Sequence, residues 1–136
     1  MRYMLDTNTL IYVLNARPQH QAVLDRFNEH DPRMLVMSAV TLAELRFGVA
    51  GSQRRDMTQA KLDRLAAAIT VMPFDEGAAL AYGNLRALLQ AAGTPIGPLD
   101  TLIAAHALSM NATVVTNNLR EFSRAKGLRT ENWIAA

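Results

Sequence analysis

Short apolar runs alternate along this chain with longer stretches whose apolar residues recur every three or four positions. Arg2-Tyr3-Met4-Leu5-Asp6 reads as a short strand that stops at a carboxylate, because Thr7, Asn8 and Thr9 are turn and cap residues. A helix is predicted from about Thr9 to Asn15. Pro18 suits the first turn of a second helix, where its missing N–H is not needed, and Val23, Leu24 and Phe27 form that helix's apolar stripe before Asp31-Pro32 ends it. Met34-Leu35-Val36-Met37 is short enough for a buried strand. The hydroxyls of Ser38 to Thr41 can cap a helix running from Thr41 toward Gly51.

The same rhythm continues with a helix over Asp56 to Ala68, a third strand over Ile69 to Met72, and a long helix from Glu76 to Ala92 that Gly93 terminates. Thr94-Pro95-Ile96-Gly97-Pro98 is a loop, and Asp100 opens a helix through Met110. Thr113-Val114-Val115-Thr116 is a β-branched strand, and a final short strand is expected near Leu128 to Thr130. Strands alternating with helices argue for an α/β fold, with a parallel sheet covered by helices on both faces. Such sheets place ligand sites beyond the carboxyl ends of their strands. No repeat, linker or low-complexity segment interrupts the pattern, so the 136 residues are expected to form a single domain spanning 1–136.

Composition narrows the chemistry. The chain has no cysteine, which removes disulfides, thiolate metal sites and cysteine nucleophiles together and suits a cytoplasmic location. The apolar run Leu10 to Leu14 is too short for a signal core, and no apolar stretch is long enough to span a bilayer. A net charge of +2 gives only weak support for a polyanionic partner, so local charge placement carries more weight.

Three carboxylates stand where they invite explanation. Asp6 lies at the carboxyl end of the first strand, where it either caps the next helix or faces a ligand. Glu44 shares a helical face with Val40 and Phe47, so it needs a compensating cation, an ion pair with a neighbour such as Arg46, or an exposed position. Asp100 opens a helix whose next turn carries Ile103 and Ala104; the helix dipole alone would favour an acid there. Together, three acids without cysteine suit a hard cation such as Mg²⁺. That ion takes oxygen ligands and can activate water and offset charge during phosphodiester hydrolysis.

Four blocks carry a resemblance: Leu5-Asp6-Thr7-Asn8, Thr41-Leu42-Ala43-Glu44-Leu45, Gly97-Pro98-Leu99-Asp100-Thr101-Leu102-Ile103-Ala104, and Val115-Thr116-Asn117-Asn118-Leu119-Arg120-Glu121-Phe122. In order and spacing, over essentially the whole chain, they resemble PIN domains of the VapC toxin type. The resemblance implies a PIN-like fold of four or five parallel strands with flanking helices. It also implies a Mg²⁺- or Mn²⁺-dependent endoribonuclease held inactive by a cognate VapB-type antitoxin. Asp6, Glu44 and Asp100 match the family's metal ligands. Many relatives place a fourth acid two residues after the threonine of the last block, where this chain has Asn118. Glu121 then supplies the missing charge, or Asn118 serves as a neutral ligand through its side-chain oxygen. Thr7, Asn8 and Thr116 match polar positions that would orient ligands and water.

The resemblance further implies a homodimer and an antitoxin segment lying in a groove near the acids. It also suggests RNA as substrate, with the initiator transfer RNA anticodon region as one target. Arg46, Arg54, Arg55, Lys61, Arg64, Arg86 and Arg120 are candidate phosphate contacts. His106, Trp133 and Tyr82 are expected in the core or an interface before any role with substrate. The rival readings are a catalytically silent RNA- or protein-binding module and a structure-specific DNA nuclease. A phosphatase with an aspartyl nucleophile fits less well, because Asp6-Thr7-Asn8 lacks a second acid two positions on.

Overall fold

The computed structural model describes residues 1–134. Its strands are β1 (Tyr3–Leu5), β2 (Leu35–Ser38), β3 (Thr70–Met72), β4 (Thr113–Val115) and β5 (Thr130–Glu131). They form one sheet in the order β3-β2-β1-β4-β5, and every neighbouring pair is parallel. In register, Tyr3 lies opposite Leu35 on one side and Thr113 on the other.

Around the sheet run α1 (Thr7–Leu14), α2 (His20–Asn28), α3 (Ala39–Ala50), α4 (Arg55–Ala68), α5 (Glu76–Ala91), α6 (Pro98–Met110) and α7 (Leu119–Phe122). The strands are too short to bury much individually, so each contributes apolar side chains to both faces. Met4, Val36 and Val114 pack with Leu85 and Leu89 of α5, Ile103 of α6 and Phe122 of α7. Their neighbours Leu5, Met37 and Val115 point the other way, onto Leu10 of α1, Val23 of α2, Leu45 of α3 and Leu62 of α4.

Several boundaries shift from those the pattern predicts, each for a local reason. α1 begins at Thr7 rather than Thr9, because Asp6 is extended and accepts the Thr9 N–H as N-cap. α2 begins only at His20: Pro18 lies in a preceding turn and Gln19 adopts a left-handed φ of 71°. The Asp31-Pro32 pair follows the helix at a short distance and opens a 3₁₀ turn, Pro32–Met34. α3 starts at Ala39 with Ser38 as its cap. α6 starts at Pro98, a proline at the first helical positions, two residues before the Asp100 expected to open it, so Asp100 is the third residue of the first turn. The last strand lies at Thr130–Glu131, slightly beyond its expected place. Gly93 follows α5 with a φ of 70°, the left-handed conformation that ends helices.

Chain order reverses about β1. The first three strands step outward in one direction, and β4 then returns to the opposite edge of β1. The crevice beyond the carboxyl ends of β1 and β4 is therefore the topological switch point, where open parallel sheets place ligands.

Candidate active site

Asp6 and Thr116 are the residues that leave β1 and β4 at that switch point. The Asp6 N–H donates to the Val115 carbonyl at 3.0 Å, which pins the two strand ends together. One Asp6 carboxylate oxygen accepts the Thr9 N–H at 2.9 Å, and the Thr116 side chain bonds the same carboxylate. Asp6 is thus both a helix cap and a buried acid, 2% exposed, facing the crevice. Burial pushes its carboxyl above the usual range; hydrogen bonds from Thr116 and Thr9 offset part of that rise, and the negative charge of Glu44 adds to it. Asn8 stands exposed in the first turn of α1 beside these residues.

Glu44 projects from α3 toward α1, where the Thr7 hydroxyl donates to its Oε1 at 2.6 Å. The apolar face expected around Glu44 exists on one side only. Val40 packs against the core, whereas Phe47 is 82% exposed. Arg46, the neighbour considered as its counter-ion, instead donates to Asp63 at 2.9 Å.

Asp100 sits in the first turn of α6, with Ile103 and Ala104 fully buried one turn on. Glu121 reaches it from α7, and the two carboxyl groups are hydrogen-bonded. Asn118 Nδ2 donates to Glu121 Oε2 at 2.9 Å, while the Asn118 backbone N–H donates to Thr116 Oγ1 at 2.9 Å. Thr116 thereby connects Asp6 to a chain running Asn118, Glu121, Asp100. A Cβ at Gly97 would stand 3.8 Å from Asp100 Oδ2 and 4.0 Å from Glu121 Oε2, so a large side chain there would crowd both acids. Burial, the hydrogen bond with Glu121 and the negative charges of Asp6, Glu121 and Glu44 together push the Asp100 carboxyl up to about 7. Two carboxyl groups that share a hydrogen bond hold one proton between them more readily than none.

Among the described residues, no three aspartate, glutamate or histidine side chains stand close enough to form a ready-made metal cage. The four acids instead frame an open cluster, in which burial and the neighbouring negative charges raise the proton affinity of Asp6 and Asp100. None of the four takes part in an ion pair among the described residues; those join Arg26, Arg33 and Arg46 to other acids. Oxygen donors of like charge around an open crevice fit a small divalent cation that keeps several of its waters.

The remaining candidates separate cleanly. His106 is 1% exposed; its Nδ1 meets Ser38 Oγ at 2.8 Å and Phe74 lies edge-on at 5.3 Å, so it is a packed histidine. Trp133 is buried, stacks on His30, and donates its Nε1–H to Glu131 at 3.0 Å. Tyr82 packs partly against the core, and its hydroxyl accepts from Arg86 at 3.0 Å. Of the basic residues, Arg46 is engaged with Asp63 and Arg55 with the Ala50 carbonyl. Arg54, Lys61, Arg64, Arg86 and Arg120 are exposed. Sequence reasoning overlooked the buried Thr9, whose hydroxyl donates to the Val115 carbonyl at 3.2 Å. Its signal was the three-residue spacing from Asp6, the distance from a cap to the N–H it accepts.

Comparison with known proteins gives the same answer along the whole chain. The family described as PIN domain matches residues 3–128. The tRNA(fMet)-specific endonuclease VapC of Salmonella typhimurium is 41% identical, with 98% of each chain covered. Ribonuclease VapC2 of Haemophilus influenzae is also 41% identical, over 98% of this chain and 99% of that one. Among solved structures, DNA-bound VapBC from Salmonella typhimurium superposes with a TM-score of 0.92 at 39% identity, covering 98% of both chains. VapBC2 from Rickettsia felis, bound to a DNA fragment from its promoter, superposes with a TM-score of 0.88 at 38% identity, covering 98% of this chain and 99% of that one. By sequence and by fold, this chain belongs to the PIN-domain family, among the VapC ribonucleases.

Proposed function

We propose that this protein is the toxin of a toxin–antitoxin pair, an endoribonuclease that cuts RNA phosphodiesters with a divalent cation, Mg²⁺ or Mn²⁺, until a VapB-type antitoxin neutralises it. The observation that carries this reading is the gathering of Asp6, Glu44, Asp100 and Glu121 at the β1–β4 switch point, with none of them in an ion pair among the described residues. PIN-domain nucleases generally use a divalent metal, and the relatives named above are ribonucleases.

Asp6, Glu44 and Asp100 would hold the cation, and Glu121 stands as the fourth acid in place of one at position 118. A bound divalent ion supplies positive charge against the developing negative charge on phosphorus and makes a coordinated water easier to deprotonate. Thr7 fixes the Glu44 carboxylate and Thr116 that of Asp6, so both acids are oriented before substrate arrives. Asn118 is a donor to Glu121 rather than a ligand, and it keeps that carboxylate turned toward Asp100. The hydrogen-bonded Asp100–Glu121 pair is suited to take up or release a proton as water attacks. Asn8, exposed beside Asp6, is available to RNA or to bound water.

A transfer RNA is the proposed substrate, the initiator transfer RNA first, because a relative 41% identical over 98% of its length is named for that specificity. For partners, we propose a second copy of the chain and an antitoxin. Phe47 (82% exposed), Met57, Leu80 and Leu88 offer apolar area for such contacts, and the related solved structures are VapBC complexes. No helix among the described residues is long and apolar enough to cross a membrane. We place the protein in the cytoplasm, working as one PIN unit.

The test is to incubate antitoxin-free protein and Asp6→Asn with total cellular RNA, with Mg²⁺ or with chelator, and to map new 5′ ends. Discrete cuts by the unaltered protein, with metal only, are expected. RNA binding indifferent to metal with no cutting would favour a silent binding module, and cutting of DNA instead would favour a DNA nuclease.

A further inference from the structure

A second concavity touches the first turn of α6 at Pro98 and Thr101. It runs between α5 and the loop 94–98 and is walled by Tyr82, Arg86 and Gln90 on the helix and by Pro95, Ile96 and Pro98 on the loop. Its volume is about 230 Å³, below the roughly 300–1,000 Å³ of pockets that enclose drug-sized ligands. The space suits a single flat ring rather than a whole nucleotide.

We propose that this cleft receives one unstacked base of the RNA next to the scissile phosphate, and so contributes to the choice of cleavage site. The inference rests on the ribonuclease reading above and adds to it a subsite outside the acid cluster.

Three observations carry it. The first is chemistry: an aromatic ring, prolines and an isoleucine make an apolar slot, while Arg86 and Gln90 place donors and an acceptor at its mouth. Single-stranded RNA is held in this way, by stacking on aromatic and guanidinium planes with edge hydrogen bonds. The second is preorganisation. Arg86 Nη1 donates to the Tyr82 hydroxyl at 3.0 Å, which sets the guanidinium beside the ring before any ligand arrives. The third is position. Pro98 lines the cleft and Asp100 lies two residues on in the same helical turn, and a helix is only about 10 Å across. A strand with its phosphate at Asp100 can therefore turn a neighbouring base into the slot. Arg124, just after α7, donates from Nη1 to the Pro95 carbonyl at 2.7 Å and so ties down the loop that forms one wall.

The experiment uses the RNA whose cut is mapped above, synthesised with an abasic ribose at each position around the cut in turn. For the unaltered protein, one abasic position is expected to lower kcat/KM about 10-fold, the scale of a lost base stack. Arg86→Ala and Tyr82→Leu should show a similar loss on intact RNA, yet match the unaltered protein on RNA lacking that base, because the partner of the altered residue is already gone. Arg86 is exposed, so its variant leaves the core untouched. Indifference to every abasic position, or variants equally slow on intact and abasic RNA, would overturn the subsite while leaving the nuclease reading standing. Failure of the unaltered protein to cut any RNA would instead overturn the nuclease reading, and the subsite with it.

Discussion

Thr7 shows how much of the candidate site depends on groups that bind no metal themselves. Its hydroxyl is 2.6 Å from Glu44 Oε1, a short charge-assisted bond across from α1 to α3. Thr7→Val keeps the shape and removes the donor, so we expect an intact fold and RNA cleavage slower by about 10-fold to 100-fold. Steady-state kinetics with unchanged kcat/KM would show that Glu44 is positioned without it. Asp100 gives a second prediction at this scale. An acid whose folded pKa lies above its unfolded value favours the fold while protonated. Its contribution is complete below 3.8 and is lost as pH rises through about 7. His106 acts with the opposite sign: burial lowers its pKa below 6.5, though the Asp75 charge and the Pro73 carbonyl resist the shift, so acidification costs stability there. The melting curve of metal-free protein sums both effects. Comparison with Asp100→Asn isolates one: from about pH 5 to about pH 8, the unaltered protein should lose stability relative to the variant. Parallel melting curves would contradict the assignment.

Among the elements, the link between α3 and α6 is the most informative. Ser38 accepts the Val40 N–H at 3.1 Å as cap of α3 and meets His106 Nδ1 at 2.8 Å from α6, so one hydroxyl serves two helices that carry Glu44 and Asp100. Ser38→Ala removes both bonds inside the core. We expect it to cost about 2 kcal/mol in chemical denaturation, the sum of a lost cap and an unsatisfied buried imidazole; a loss near zero would mean that water replaces the hydroxyl. Much of this architecture was legible in the sequence, because strands buried on both faces and helices with apolar stripes have different periods. Asp6 and Asp100 were legible as well, since each stands where a strand or loop must turn into a helix. The environment of Glu44 was not. Helical spacing put Phe47 beside it, but only tertiary packing decides that Phe47 stays in solvent and that Arg46 turns to Asp63. Nor could spacing show that Glu121 bonds Asp100 while Asn118 bonds Glu121, because those contacts depend on the angle at which the short α7 leaves β4. The α2 start was missed for a similar reason: a left-handed Gln19 has no composition signal.

At the scale of the whole molecule, the sheet separates two jobs. Its interior strand residues hold α5, α6 and α7 on one face and α1 through α4 on the other, while the carboxyl ends of β1 and β4 gather acids contributed from both layers. Asp6 and Glu44 come from the α1 and α3 side, Asp100 and Glu121 from the α6 and α7 side. A cation between them would therefore join the two layers, and its binding should be felt as binding energy and as displaced protons from the Asp100–Glu121 pair. The most direct measurement is a calorimetric titration of antitoxin-free protein with Mn²⁺ near neutral pH, repeated in buffers of different ionisation enthalpy and with Asp6→Asn and Asp100→Asn. The account predicts saturable binding with proton release by the unaltered protein, binding weakened by about 10-fold or more in Asp6→Asn, and loss of the proton release in Asp100→Asn. Mn²⁺ binding of equal strength in all three proteins, or none in any, would contradict the claim that these four acids are a metal centre.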